Sequence, residues 1–585
     1  MASACGGGGD GGTPPQAPLS DISTMNVGEV RLLNPSDIPT GIDLPAGSGQ
    51  RDYIVIVGNT NSAHDVVANY VVKADQNSGA SFGIQAPYEA APQYNRQLTD
   101  VPLARTRQQA IDNRVRAFER SGLTLRSASS PLNMSSRFSV SRSAQATAAA
   151  VPNVGDVINL KIPDANSNNL CTNFIQTQAV VASVSRRAIL AVDTLDGPPQ
   201  LLFPQAVLDS ITDEFDNITF KTDSSYYNNP TDIDANSRVI MLFSGQINKL
   251  TPPGTSGGFV GGFFFAGDFF PTIDQGGGPG SFCPQSNQAE IFYLLSPDPG
   301  GLKFGNDRSA SSVRQGTRGT IAHEFQHMIN AGRRFQNPNA DTFEATWLDE
   351  ALAHFAEDAV GRVSRGFTDL QTLTFNDLIP CNPPCSQGND FNAFFFQNLA
   401  RLTDWMVKPD QFSPMSKMAD TSLAVRGAAW AIVRYAADNY SNGDPRAFTR
   451  ALAAGPDSGI KNFIAQVKVP VDTVVKGWLV SMYADHLGIP GLDAKYQYRS
   501  YNFRSAMPPV AKAVLGTQTA SYPLAVKAIG SGTDNIPSTN RSGTGTYYRL
   551  TVTAGAGAKN VKILDQSGNN AASFPGEHVY VLRVN

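Results

Sequence analysis

Between residues 309 and 487 apolar side chains recur at helical spacing, whereas the segments before and after carry short runs of β-branched and aromatic residues divided by Gly, Pro, Asn and Ser. The two periods bury different surfaces: a helix hides one stripe and a strand hides alternate positions. Both must find partners in one chain, which points to an α+β unit with β modules beside it. At 585 residues the chain also exceeds what a single hydrophobic core supports, so it is read as multidomain.

The boundaries follow the shifts in composition. Residues 1–20 hold Cys5 and then Gly- and Pro-rich sequence that cannot pack, a flexible tether. Residues 21–103 carry strand-like runs such as Asp52-Tyr-Ile-Val-Ile-Val-Gly58 and form an N-terminal β domain. Residues 104–150 are a helix and linker, Arg- and Gln-rich at first and Ser/Ala-rich later. Residues 151–500 form the central unit, a β-rich part with runs at 157–162, 179–183, 188–192, 239–243 and 291–295, then a helical part including 424–439 and 471–487. Alternating runs return in 501–585, a C-terminal domain of β-sandwich type like the N-terminal one.

With 46 basic against 50 acidic residues the formal charge is −4, which provides no electrostatic case for nucleic acid or an anionic membrane surface. No run of 18 apolar residues occurs. Ala2, Ser3 and Ala4 directly before Cys5 resemble the start of a mature bacterial lipoprotein, which implies export and a membrane link only through lipid at Cys5. The chain is thus expected in the cell envelope or secreted, and as a monomer. Beyond Cys5, the four cysteines Cys171, Cys283, Cys381 and Cys385 are an even number in a chain read as exported. Cys381 and Cys385 could close a small loop, leaving Cys171 and Cys283 to pair, but three connectivities exist and spacing does not choose. A zinc site built from these four lacks a CxxC pair and is disfavoured.

The chemistry concentrates in Thr320-Ile-Ala-His323-Glu324-Phe-Gln-His327-Met-Ile-Asn330. Residues four apart on a helix share a face, so both imidazoles can reach one ion with Glu324 beside it, while Ile321, Phe325, Met328 and Ile329 anchor the remaining surface. A chance surface helix is the bland alternative. Against it, three of the six histidines fall at 323, 327 and 354. A catalytic zinc takes three protein ligands and keeps one position open, and Glu350 in Trp347-Leu-Asp-Glu350-Ala-Leu-Ala-His354-Phe-Ala-Glu357 is placed to be the third. His354 is read as a hydrogen-bonding neighbour of the ligands, and Glu357 as either an orienting group or a solvated one. Asp232-x-Asp-x-Asn236 lacks the rest of a calcium loop and is read as a polar turn, and the aromatic run 261–270 as a buried strand and turn that could line a cleft. His64, His486 and His578 stand alone.

HExxH followed by W-L-x-E-x-L-A resembles the glutamate-ligand zinc peptidases, the gluzincins. The flanks of His323 to His327 and of Glu350 are most similar to the hyicolysin family of bacterial metallopeptidases, over roughly residues 155 to 485. Asp349 and Ala351 depart from the Asn and Gly common in related motifs. The resemblance implies a zincin-like catalytic domain, a Zn2+ cofactor held by His323, His327 and Glu350, and protein or peptide substrates. Zinc would polarise the scissile carbonyl and acidify a water, and Glu324 would carry that water's proton to the leaving amine. The oxyanion donor is open among Arg426, Tyr435 and Tyr483. The rival readings are a surface-tethered binding protein that keeps the fold without turnover, and a zinc hydrolase acting on a non-peptide bond.

Overall fold

The computed structural model describes residues 22, 24–34, 38, 40–45, 47–63, 66–75, 101–125 (side chains from 107), 151–255, 259–379, 390–415, 422–529, 536–555 and 557–585. The tether, Cys5, His64 and the expected Cys381–Cys385 pair lie outside these residues. Four strands open the chain, β1 (Val30–Leu33), β2 (Ile42–Leu44), β3 (Arg51–Asn59) and β4 (Val67–Asp75), followed by helix α1 (Val101–Gly122). The central half contributes β5 (Val157–Pro163), β6 (Phe174–Val184), β7 (Ala188–Asp193), β8 (Val239–Phe243), β9 (Gly262–Phe264) and β10 (Ile291–Leu294). The main helices are α2 (Ala310–Gln336), α3 (Thr346–Ser364), α4 (Phe396–Met406), α5 (Leu423–Tyr440) and α6 (Val471–Ala484). The chain closes with β11 (Val526–Ala528), β12 (Ile536–Arg541), β13 (Thr544–Val552), β14 (Lys559–Leu564) and β15 (Glu577–Arg583). Among the described residues no helix is long and apolar enough to cross a membrane.

The central sheet has the order β5-β6-β7-β8-β10-β9. β7, β8 and β10 run parallel to one another and are buried at every position, which is why Val239-Ile-Met-Leu-Phe243 and Ile291-Phe-Tyr-Leu294 read as continuous apolar runs with no alternation. β9 pairs antiparallel with β10 and forms an edge. The expected central strands and helices coincide with these elements to within a few residues. A disulfide between Cys171 and Cys283, 112 residues apart, ties the segment before β6 to the loop before β10.

The two ends of the chain do not form separate β domains. The strands expected in 21–103 and 501–585 interleave into two sheets, one of order β1-β15-β3-β13-β11 and one of order β12-β4-β14-β2. The reason is visible in β3, which is buried at every position after Arg51. Tyr53, Val55 and Val57 point into the core between the two sheets with Tyr70, Val72 and Val561. Ile54 and Ile56 point the other way, into the core of the helical half. A strand with apolar residues on both faces needs neighbours on both edges and a layer on each side, and β13 and β15 supply the edges. Tyr547 on β13 fastens the sheet to α6 by donating to Leu479 O at 2.8 Å. Helix α1, expected to belong to a linker, is likewise packed into the molecule, with Ile111 and Val115 in the core.

This pairing predicts that a fragment comprising 501–585 will not fold by itself, because β13 and β15 lose β3 while β12 and β14 lose β4. Circular dichroism of the fragment should show no cooperative melting transition, and a sharp one would refute the interdependence.

Candidate metal centre

Helix α2 begins at Ser309, whose hydroxyl accepts from Ser312 N at 3.2 Å, and ends with Arg333 and Arg334 in its last turn, where the dipole favours cations. Phe325 sits in an aromatic cluster with Phe215, Phe220 and Phe292, and Ile321, Met328 and Ile329 are buried with it. That anchorage fixes the rotation of the helix and turns His323 and His327 toward α3. The return from α2 to α3 is clasped by buried Glu344, which pairs with Arg334 and accepts from Ala345 N at 2.7 Å, Gly459 N at 2.6 Å and Asn462 Nδ2 at 2.8 Å.

The inner nitrogens converge. His323 Nε2 and His327 Nε2 lie 3.1 Å apart, with Glu350 Oε2 at 3.4 Å from the first and Oε1 at 3.8 Å from the second. The outer nitrogens are each held by a carboxylate, His323 Nδ1 by Glu357 Oε1 at 2.8 Å and His327 Nδ1 by Asp349 Oδ2 at 2.9 Å. Such partners fix the ring orientation of histidines that bind metals. Glu357 is therefore an orienting group, and Asp349, noted in the sequence only as a departure from related motifs, does the same work for the second imidazole. Asn330 Nδ2 donates to Asp349 Oδ1 at 2.8 Å and fixes it in turn.

The donor set suits a cation. Glu350 is fully buried and neither of its oxygens accepts a hydrogen bond among the described residues, although Arg426 Nη1 forms an ion pair with Oε2 at 2.7 Å. Burial would raise this carboxyl, but the Arg426 guanidinium and the two imidazoles override it and hold it well below the usual range. Burial likewise opposes charge on His323, yet Glu350 and Glu357 push its pKa up to about 10. Burial pulls His327 the other way, below its ordinary value, and two imidazole nitrogens with one carboxylate make a donor set of the kind that holds a divalent metal. His323, His327 and Glu350 lie close enough to share one ion.

His323, His354 and Glu357 form a second group of that kind, but using it would take Glu357 from His323 Nδ1 and strand Glu350. His354 instead lies with Nδ1 3.0 Å from Glu357 Oε1, and burial together with the Arg401 charge pushes its pKa down to about 3, leaving a neutral ring. In the third group, Asp232 accepts from Ser237 N, Asp234 from Asn236 N and Glu290 from Ile233 N, so the segment is the expected polar turn, with Ala235 and Ser237 at positive φ.

Glu324 faces a cleft of about 320 Å³, also lined by Gln108, Asp112, His323, Arg401 and Arg426. Its Oε2 accepts from Phe264 N on β9 at 3.0 Å, so the aromatic run of 261–270 is buried strand and turn and also the wall beside Glu324. Burial pushes the Glu324 carboxyl up to about 8, against the pull of His323. Of the three oxyanion candidates only Arg426 reaches the cleft. Tyr435 donates to Lys495 O at 2.7 Å, and Tyr483 packs under Arg504. Gly427 explains how Arg426 arrives there, since a Cβ at that position would run into the backbone of Arg401 and Leu402. His486 pairs with Asp485 at 2.9 Å, and His578 lies on β15, neither of them lining this cleft.

The chain is similar to a metalloprotease. It is 28% identical over 148 residues to the neutral metalloprotease ShpI of Staphylococcus hyicus, a stretch that covers 25% of this chain and 30% of that protein. The chain thus matches less than a third of its relative's length. No family model matches the chain.

Because Asp349 and Glu357 each orient one imidazole, Asp349→Ala and Glu357→Ala should weaken zinc affinity by roughly 10- to 100-fold, the usual effect of removing such a partner. Glu350→Ala should lose more, leaving two imidazoles. Competition against a chromophoric chelator measures all three, and a Glu357→Ala protein that loses zinc while Glu350→Ala keeps it would reverse the assignment of ligand and support.

Proposed function

We propose that the protein is a zinc-dependent endopeptidase, with His323, His327 and Glu350 as metal ligands and Glu324 as general base, on a central domain of zincin type. The observation that carries this reading is the convergence of two carboxylate-oriented imidazoles on a buried Glu350 kept ionised by Arg426, with Glu324 one residue from His323 and facing the cleft. The partial likeness to a neutral metalloprotease supports protease activity in general.

Zinc in this position would act as a Lewis acid on the scissile carbonyl and lower the pKa of a water. The chain's own residues would do the rest. Glu324 is held by the Phe264 amide and faces the cleft, where a carboxylate can carry a proton. It would accept a proton from water and return it to the leaving amine. Arg426, fixed on Glu350 and lining the cleft, is the cation placed to meet negative charge developing on the substrate. Arg401 lines the same cleft and adds positive charge. Protein or peptide substrates, export and a lipid at Cys5 belong to this proposal as well.

A Glu324→Gln variant keeps the side chain's size but cannot take up the proton. Its zinc content, measured by atomic absorption, should equal that of the parent protein. Its hydrolysis of casein should fall by about 10²- to 10⁴-fold. Equal rates in the two proteins would end the general-base assignment, and a parent protein that holds zinc yet cleaves neither casein nor peptides would favour the binding-protein alternative.

A further inference from the structure

β9 has one neighbour, β10, so the backbone on its other side is open to pairing. Side chains of α1 occupy that side. Gln108 Nε2 donates to Gly262 O at 2.8 Å while its Oε1 accepts from Gly261 N at 2.8 Å. Arg116 Nη2 donates to Phe264 O at 2.5 Å, and Glu119 Oε1 accepts from Ala266 N at 2.6 Å. Residues 108, 112, 116 and 119 fall on one face of a helix, so a single rigid element meets successive backbone groups along the strand.

The same face reaches into the cleft. Asp112 Oδ2 pairs with Arg426 Nη1 at 3.0 Å, and its Oδ1 accepts from Gln108 Nε2 at 2.6 Å. Asn113 Oδ1 accepts from Arg426 Nη2 at 3.0 Å. Gln108 and Asp112 line the cleft alongside His323 and Glu324.

A helix that only completed the core would bury apolar residues against its neighbour. α1 does so on one side with Ile111 and Val115, but toward β9 and Arg426 it buries Asp112, Arg116 and Glu119, each under 5% exposed. Burying charged side chains is unfavourable unless each meets a partner; Arg116 and Glu119 pair with each other at 2.8 Å and also reach the backbone at Phe264 and Ala266, and Asp112 meets a guanidinium in the cleft. Within β9, Gly262 O and Phe264 O are also groups that an extended polypeptide would use to add to the strand, while Phe264 N is held by Glu324 Oε2. The primary amide of Gln108 offers one donor and one acceptor on the same side, as the N–H and C=O of one residue in such a strand would.

We propose that α1 is an intramolecular inhibitor, a helical strap whose side chains stand in for an extended polypeptide on the edge of β9 and whose Asp112 occupies the Arg426 guanidinium in the cleft. This rests on the peptidase reading above. Polypeptide and strap exclude one another because they need the same backbone groups, so turnover requires α1 to lift.

In the full-length zinc protein, Gln108→Ala combined with Asp112→Ala should raise kcat/KM on casein by about tenfold or more, the scale of losing two or three hydrogen bonds from the strapped form. Zinc content and melting temperature are measured on the same sample. A folded, zinc-loaded double variant with the parental or a lower rate overturns the proposal. If the double variant fails to fold, hydrogen–deuterium exchange on full-length Glu324→Gln protein decides instead. Amides of residues 107–122 should exchange faster with saturating casein bound, and unchanged protection with casein bound overturns the strap. Casein that is cleaved equally by parent and double variant defeats the strap alone, whereas casein that is neither bound nor cleaved by any of these proteins defeats the peptidase reading and the strap with it.

Discussion

Glu350 is a carboxylate with no exposed surface, and keeping it ionised constrains much of what surrounds it. A lone carboxylate in such a place would take up a proton. Arg426 at 2.7 Å prevents that, which requires α5 to pass close to α4, and Gly427 permits the approach. The guanidinium has more donors than Glu350 can satisfy, and Asp112 and Asn113 of α1 take up two of them. Removing one member of a buried pair typically costs ~3–5 kcal/mol because the other charge is stranded. The sequence of dependence runs from Glu350 to Arg426 to Asp112, and so from the candidate metal ligands outward to a helix that precedes them by more than 200 residues.

A second buried network sets the rotation of α3. Asp358, fully buried, pairs with Arg362 at 3.1 Å and Arg434 at 3.3 Å and accepts from Tyr501 at 2.7 Å. Arg434 lies about two turns beyond Arg426 on α5, close to Asp438, which in turn accepts from Ser500 N and Oγ. α3 therefore carries acidic residues toward two partners, Asp349 and Glu357 toward α2, Asp358 toward α5, and Glu350 between the two. With both directions occupied, the helix cannot turn on its axis without breaking ion pairs in a medium that penalises unpaired charge, and the position of Glu350 is held more tightly than apolar packing alone would hold it.

The local chemistry was legible in the sequence because it rests on spacing. His323 and His327 are one helical turn apart, Glu350 and Glu357 are two turns apart, and the fully buried strands β7, β8 and β10 announce themselves as apolar runs. What spacing cannot show is partnership over long separations. β3 looked like part of an N-terminal domain because nothing in Asp52-Tyr-Ile-Val-Ile-Val-Gly58 says that its edges are filled by strands about 500 residues later. The choice of Cys171 with Cys283 depended on the loop before β10 folding back toward β6. In α1 a faint signal was present, since Gln108, Asp112, Arg116 and Glu119 form a polar stripe beside Ile111 and Val115, but such a stripe is ordinarily a solvated face. Its burial depends on β9 being an edge, a property of the sheet that no single segment encodes.

The position of α1 between β4 and β5 carries its own physical consequence. The helix is covalently continuous on one side with a sheet that is completed only by C-terminal strands and on the other with the first strand of the central sheet. A segment covalently joined to its binding surface meets it at an effective concentration set by the chain, which does not fall on dilution. Any polypeptide competing for the edge of β9 faces that local concentration rather than the bulk one. Such competition favours ligands that take several edge groups together with Arg426 and the metal ligands over ligands that take only one, because each added contact counts against a fixed intramolecular rival. On the proposed strap, a preference for long extended chains would follow from the covalent placement of the helix.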